Sequence, residues 1–343
     1  MQTSILTKFR ERPNLRHLKR LTTKDGIIQH ADHEVPDPSF GYSIDDNARA
    51  LIACLWHYQT FKDPSILQLA ELYFHYLETV EKKGGSFHNF VSFSGKLLDA
   101  EGSADSIGRA VWALGEVIRT APNDDMTEKA RQMFQRVALN RHLDHQHTRT
   151  KAYILLGLLA AGEKKLAAIW ADRLVKFFEE NQQADWVWFE PELTYANGIL
   201  PYALARAARV LGNEGYGHVA KASFDWLYSV SREQNLPWPI GHDGWYRQGK
   251  TKALYDQQPL EAADMMLAAS ELHRLTGESH YLDQALEWHG WYTGNNACNQ
   301  VMINPHTDGI LDGIRPNGIN VNQGAECIVT YLMAYLSLSQ LLP

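Results

Sequence analysis

The sequence predicts an all-α protein, an (α/α)6 barrel of twelve alternating outer and inner helices, with residues 1–343 forming one domain. Three observations predict it. A short polar signature, mostly with Gly or Asn, adjoins an apolar helix six times: SIDDNARALI (43–52), ADSIGRAVWALG (104–115), TRTKAYILLG (148–157), LTYANGILPYAL (193–204), YDQQPLEAADM (255–265) and NVNQGAECIVTYL (320–332). Amphipathic stretches alternate with these six. The connections also alternate, long before each apolar helix and short after it.

The elements follow in order. A first amphipathic helix is expected at about 4–20. Residues 64–81 then place Ile66, Leu69, Leu72, Tyr73, Tyr76, Leu77 and Val80 on one stripe with charges opposite, as in a helix with one buried face. Residues 125–139, 163–180, 215–230 and 279–291 read the same way. The six intervening helices, such as KAYILLGLLAA and GILPYALARAARVL, are apolar almost all round and read as inner helices buried on both sides. Helical hairpins that cannot bury their faces alone must stack. An open solenoid is the alternative to a closed ring; six hairpins and no evident polar capping repeat favour closure. The length exceeds that of most single-core domains, but no linker divides the chain.

The long connections are 22–43, 82–103, 140–147, 181–193, 232–256 and 292–322, rich in Gly, Pro, His and aromatics. Ordered loops of that length inside a compact fold usually carry function, which puts the site at the mouth formed by the inner-helix N-termini.

Composition narrows the function. Net charge is −7 and the pI about 6.1, without the basic face that nucleic acid requires. Cys54, Cys298 and Cys327 have no CxxC spacing and read as reduced thiols. With no signal-peptide core and no long apolar run, a cytoplasmic protein without a membrane partner is expected. No dinucleotide, P-loop or nucleophile-elbow motif is present, and no cofactor is expected. The clusters HADHE (His30, Asp32, His33, Glu34) and HLDHQH (His142, His145, His147) lack the spacing of a helix-borne metal site, so no metal is expected either.

Five constellations can carry chemistry. Asp45, Asp46 and Asn47 open one inner helix behind a probable N-cap at Ser43, with Arg49 four residues after Asp45. Asp105 repeats the Asp-x-x-x-Arg spacing with Arg109, which equally fits a structural ion pair. In WVWFEPELTYANG, Trp186, Trp188 and Tyr195 surround Glu190, Glu192 and Asn197. Aromatic faces beside carboxylates and amides suit a sugar, and desolvation by tryptophan raises a carboxylate's pKa as a general acid needs. The segment 236–261 concentrates Trp238, His242, Asp243, Trp245, Tyr246 and Arg247, then Asp256 as an acid or base and Gln257 and Gln258 as hydroxyl binders. Finally Asn322, Gln323 and Glu326 open the last inner helix.

SIDDNARALI, WFEPELTYANGILPYAL, YDQQPLEAADM and VNQGAE together resemble a group of bacterial (α/α)6-barrel, glycoside-hydrolase-like proteins, found alone or as domains behind glycosyltransferases. The resemblance runs from about residue 30 to the end, with Ala104 and Cys327 standing where the group tends to an acid and a Ser. It implies a carbohydrate context, an oligosaccharide or glycoconjugate substrate and a functional link to a glycosyltransferase. The leading expectation is glycosidic-bond hydrolysis by two carboxylates drawn from Asp46, Asp105, Glu190 and Asp256, inverting by the same resemblance. A carboxyl separation of about 6.5–9.5 Å fits inversion and about 5–5.5 Å retention. Substrate contacts are expected from Asp45, Asn47, Trp188, Tyr195, Asn197, His242, Trp245, Gln257, Gln258, Asn322, Gln323 and Glu326. The alternatives are a sugar epimerase or isomerase using His242 and a second mouth histidine, and a non-catalytic glycan-binding module.

Overall fold

The computed structural model describes residues 6–138 and 147–342, so His142 and His145 lie outside the described residues. From Arg16 onward it contains twelve α-helices. The outer set is α1 (Arg16–Leu21), α3 (Leu67–Val80), α5 (Asp124–Ala138), α7 (Lys164–Asn181), α9 (Glu214–Val230) and α11 (Ser279–Tyr292). The inner set is α2 (Ile44–Phe61), α4 (Ala104–Thr120), α6 (Thr148–Ala161), α8 (Ile199–Leu211), α10 (Pro259–Thr276) and α12 (Ala325–Ser339). Each inner helix packs on the next and α12 packs on α2, which closes the ring and rules out the open solenoid.

The burial pattern follows the hydrophobic pattern. Every residue of α10 from Pro259 to Leu272 is buried, whereas α3 buries only a stripe through Ala70, Tyr73, Phe74, Tyr76, Leu77 and Val80. A helix covered on both sides must be apolar all round; one facing water needs a single apolar stripe. Helices α4 and α6 meet backbone to backbone. A Cβ on Gly115 would sit 2.2 Å from the Gly157 carbonyl oxygen, and one on Gly157 would sit 2.4 Å from that of Val111.

One outer element departs from expectation. The helix foreseen at 4–20 is broken, because Pro13 has no N–H to donate and disfavours helix in the residue before it; only a turn at 6–8 and α1 remain. Tyr335 of α12 pins this segment by donating to the Lys8 and Glu11 carbonyls.

The short connections lie at one end of the barrel, and α6, α8 and α10 stop at Gly162, Gly212 and Gly277 in the left-handed conformation. Among the described residues, the long connections gather at the other end and carry short antiparallel ribbons. Tyr42–Ser43 pairs with Phe90–Val91, and Glu192–Leu193 with Tyr246–Arg247, tying neighbouring loops together. Gly313–Arg315 pairs with Gly318–Asn320 within the last loop.

Candidate active site at the barrel mouth

The inner-helix N-termini converge on the mouth, where helix dipoles favour carboxylates. Ser43 caps α2, accepting from Asp46 N at 3.1 Å while its hydroxyl donates to Asp46 Oδ2 at 2.6 Å. Ser103 caps α4 by accepting from Ser106 N, which leaves the Asp105 side chain for other work.

The arginines do not form the i, i+4 pairs that their spacing suggests. Arg49 Nη2 lies 3.2 Å from Asp46 Oδ1 and donates to Glu326 Oε2 of α12 at 2.9 Å. Arg109 reaches from α4 to α2, with Nη1 3.1 Å from Asp45 Oδ2. Asp105 accepts instead from Thr150 Oγ1 and from Tyr195 OH, both at 2.6 Å. Arg149 of α6 donates to Glu190 Oε2 at 2.7 Å and to Asn197 Oδ1 at 3.2 Å. Glu261 of α10 accepts from Ala196 N at 2.5 Å and Asn197 Nδ2 at 2.9 Å. Side chains thus link α12 to α2, α2 to α4, α4 to α6, α6 to the start of α8, and that start to α10.

This girdle sets the protonation states. Burial raises the Asp46 pKa, only partly offset by Arg49. Burial also disfavours ionised Asp105 and Glu326, but Arg109 with the Thr150 and Tyr195 hydrogen bonds holds Asp105 below the usual range, and Arg49 and Arg109 do the same for Glu326. For His242 burial pulls the pKa down, yet Glu261, with Nε2 3.4 Å from its Oε1, together with the Asp256 and Glu326 charges pulls it above the ordinary value. Asp264, one turn below Glu261, is buried and driven well up, mainly by desolvation and then by the Glu261 charge.

Two adjoining cavities open at the mouth. One, of about 380 Å³, is lined by His30, Asp46, Arg49, Phe90, Asp256, Asp312, Arg315 and Cys327, among others. The other, of about 360 Å³, is lined by Ser103, Asp105, Arg109, Tyr195, His242, Trp245 and Leu260. Asp45, Gln258 and Glu326 line both. Asp256 sits at a positive φ of 57°, and its carboxylate makes no hydrogen bond or ion pair with the described residues. Its backbone carbonyl accepts from His242 N at 3.0 Å.

Of the residues foreseen, the mouth brings together Asp45, Asp46, Asp105, Tyr195, His242, Trp245, Asp256, Gln258 and Glu326. Several others belong elsewhere. Glu190 borders a separate recess with Phe177 and Pro191, and both its oxygens are taken by Thr148 and Arg149. Trp188 is fully buried against Phe189 and Trp226 and offers no face to a ligand. Asn47 spends its amide on Ile27 N and the Ser43 carbonyl, and Asn197 is consumed by Arg149, Thr194 and Glu261. Gln257 accepts from Trp291 Nε1 and donates to the Leu254 carbonyl; Gln323 accepts from Thr307. Asn322 accepts from His33 N, fastening the first long loop to the last. For Glu190 and the five amides, protein groups of the loops and helices use the polar atoms first; Trp188 is removed by burial alone.

Sequence reasoning missed Glu261, Asp312 and the placement of Arg49 and Arg109 on the cavity walls. Glu261 has a signal, a carboxylate in the first turn of an otherwise apolar helix; Asp312 sits in a loop and has none. Asp312 accepts from Gly324 N at 2.8 Å and from the Cys327 thiol. Among the described residues no group of three or more His, Cys, Asp and Glu side chains is arranged to hold a metal ion.

No protein-family profile and no curated protein sequence matches the chain. Its likeness is structural. Cellobiose 2-epimerase from Bacillus thermoamylovorans superposes with a TM-score of 0.77 over 100% of both chains at 14% identity. The fold is an (α/α)6 barrel. A D-mannose isomerase matches with a TM-score of 0.75 at 12% identity, covering 99% of this chain and 98% of its own. A family 76 glycoside hydrolase from a bovine Bacteroides thetaiotaomicron strain matches at 0.67 and 10% identity, covering 98% and 78%. At these identities the likeness establishes the barrel; the reaction has to be argued from the mouth. No helix among the described residues is long and apolar enough to cross a membrane.

Proposed function

We propose that this chain is a carbohydrate-active enzyme that epimerises or isomerises a sugar at the barrel mouth, with His242 as general acid and Asp256 as general base. The observation that carries the reading is a contrast among the mouth groups. Asp45, Asp46, Asp105 and Glu326 are each engaged by arginine, serine, threonine or tyrosine, whereas the Asp256 carboxylate has no hydrogen-bond or ion-pair partner among the described residues and Glu261 raises the His242 pKa against the pull of burial. A histidine clamped at one nitrogen by a buried carboxylate is oriented for proton transfer through the other. With an open-chain sugar in the mouth, Asp256 takes the proton from the carbon beside the carbonyl. Electrons move onto the carbonyl oxygen, which takes a proton from His242. Transfer of the Asp256 proton to the former carbonyl carbon, with the neighbouring hydroxyl giving its proton to His242, yields the isomer. Delivery of a proton from solvent water to the opposite face of the original carbon, with the enediol hydroxyl returning its proton to His242 and Asp256 releasing its own to water, yields the epimer. The epimerase and isomerase among the structural neighbours are consistent with this chemistry, and sugar as substrate class agrees with the hydrolase neighbours too.

Two-carboxylate hydrolysis is the second reading. It is favoured by one feature: Asp46, pushed toward its protonated form by burial, shares a cavity with the free Asp256. Against it, both Asp46 oxygens are already hydrogen-bonded, which leaves no proton aimed at a leaving group. A link to a glycosyltransferase rests on the motif resemblance alone. The test is product identity by NMR with neutral mono- and disaccharides. A new stereoisomer or ketose supports the first reading, release of monosaccharides from a disaccharide supports the second, and binding without product leaves a glycan-binding module.

A further inference from the structure

We infer that the mouth holds two sugar units at once, so that the substrate is a neutral disaccharide or longer glycoside, with Phe90 the contact for the second unit. This deepens the proposed sugar chemistry and rests on it for the choice of ligand.

The geometry points there in three ways. The cavities are of about 380 and 360 Å³, each within the range of small-ligand sites, and they adjoin through shared walls at Asp45, Gln258 and Glu326. Each lobe also carries its own aromatic surface. Trp245 and Tyr195 line the lobe of His242; Phe90, 39% exposed, lines the other. An aromatic face beside charged hydrogen-bonding groups matches a pyranose, which presents C–H on its face and hydroxyls at its rim. Phe90 has no packing role that explains its exposure. Its backbone pairs with Ser43 and accepts from Leu98 N, but its ring is absent from the core that Val91 joins next to it.

The charges select against anionic sugars. Asp45, Asp46, Asp256, Asp312 and Glu326 line the Phe90 lobe against the guanidinium groups of Arg49 and Arg315, and Arg49 is already paired with Asp46 and Glu326. A phosphate or uronate there meets net negative potential. In this arrangement the reacting unit occupies the His242 lobe, Asp256 approaches it from the adjoining Phe90 lobe through the backbone bond that joins it to His242, and the second, uncharged unit lies against Phe90.

Calorimetric titration of the full chain tests this with glucose, mannose and galactose, a panel of their neutral disaccharides, and glucose 6-phosphate. At least one disaccharide is expected to bind about tenfold or more tighter than its monosaccharides, and the phosphate more weakly than glucose. Phe90→Ala, at an exposed position, is expected to weaken the disaccharide about three- to tenfold and the monosaccharide less than twofold, while Trp245→Ala weakens both. Equal losses for both ligands in Phe90→Ala, or no disaccharide binding tighter than its monosaccharides, overturns the two-unit site. Binding that follows this pattern without turnover overturns the catalytic reading instead, and turnover of a monosaccharide with no gain from a second unit does the reverse.

Discussion

At the residue scale, function depends on which polar groups are already spent. The Asp256 carboxylate has no partner among the described residues and Trp188 is sealed in the core, so their variants should separate function from stability. Asp256→Asn is expected to lower kcat by about 100-fold or more with the melting temperature nearly unchanged. Trp188→Phe is expected to leave kcat intact and cost about 1–3 kcal/mol in denaturant unfolding. His242 gives a pH signature. Glu261, Asp256 and Glu326 raise its pKa against the pull of burial, so the imidazolium is lost, and activity with it, as pH rises through the raised value. Glu261→Gln removes the main cause of the rise, and the alkaline limb of kcat/KM should move to lower pH. The same linkage makes the His242 contribution to stability complete below its unfolded value and lost as pH rises through the folded one.

At the element scale, what was legible in the sequence is what hydrophobic period and helix-capping chemistry determine. The inner helices appear within a few residues of their expected starts, and Ser43 caps where it should, because these depend on local spacing. The arginine partners were not legible. Arg49 and Arg109 stand at i+4 from an aspartate, but which acid each one meets depends on the neighbouring helix, and the closed ring puts Glu326 and Asp45 within reach. The first helix failed at Pro13, where amphipathic spacing was read past a residue that cannot continue it. Glu116 makes an element-level prediction at the far end of the barrel. It is wholly buried between Arg206 and Arg119 and accepts from Trp56; burial alone would raise its pKa, but the two arginines bring it to about 2. Glu116→Gln leaves Arg206 buried without its counter-ion and is expected to cost about 3–5 kcal/mol, read as a lower denaturant midpoint without loss of sugar binding in the surviving fold. Gly157→Ala, forced against the Val111 carbonyl oxygen, is expected to destabilise through the α4–α6 contact.

At the scale of the whole molecule, loop length was a better guide to the site than residue type. The long connections that are described do meet over the inner-helix N-termini, yet the pairing of tryptophan with glutamate led to Trp188 and Glu190, which serve the core and a separate recess. The closed ring explains why: six helix starts face one another, their polar side chains satisfy one another first, and the few left over define the chemistry. His242, among those few, is the group proposed to move a proton on a sugar at the mouth. The direct measurement is NMR of neutral mono- and disaccharides incubated in D2O with the wild-type chain and with His242→Asn. Deuterium at the carbon beside the sugar carbonyl, together with a new isomer, is expected in the wild type, and a loss of at least about 100-fold in the variant. Cleaved disaccharide without deuterium at that carbon, or exchange undiminished in His242→Asn, would contradict it.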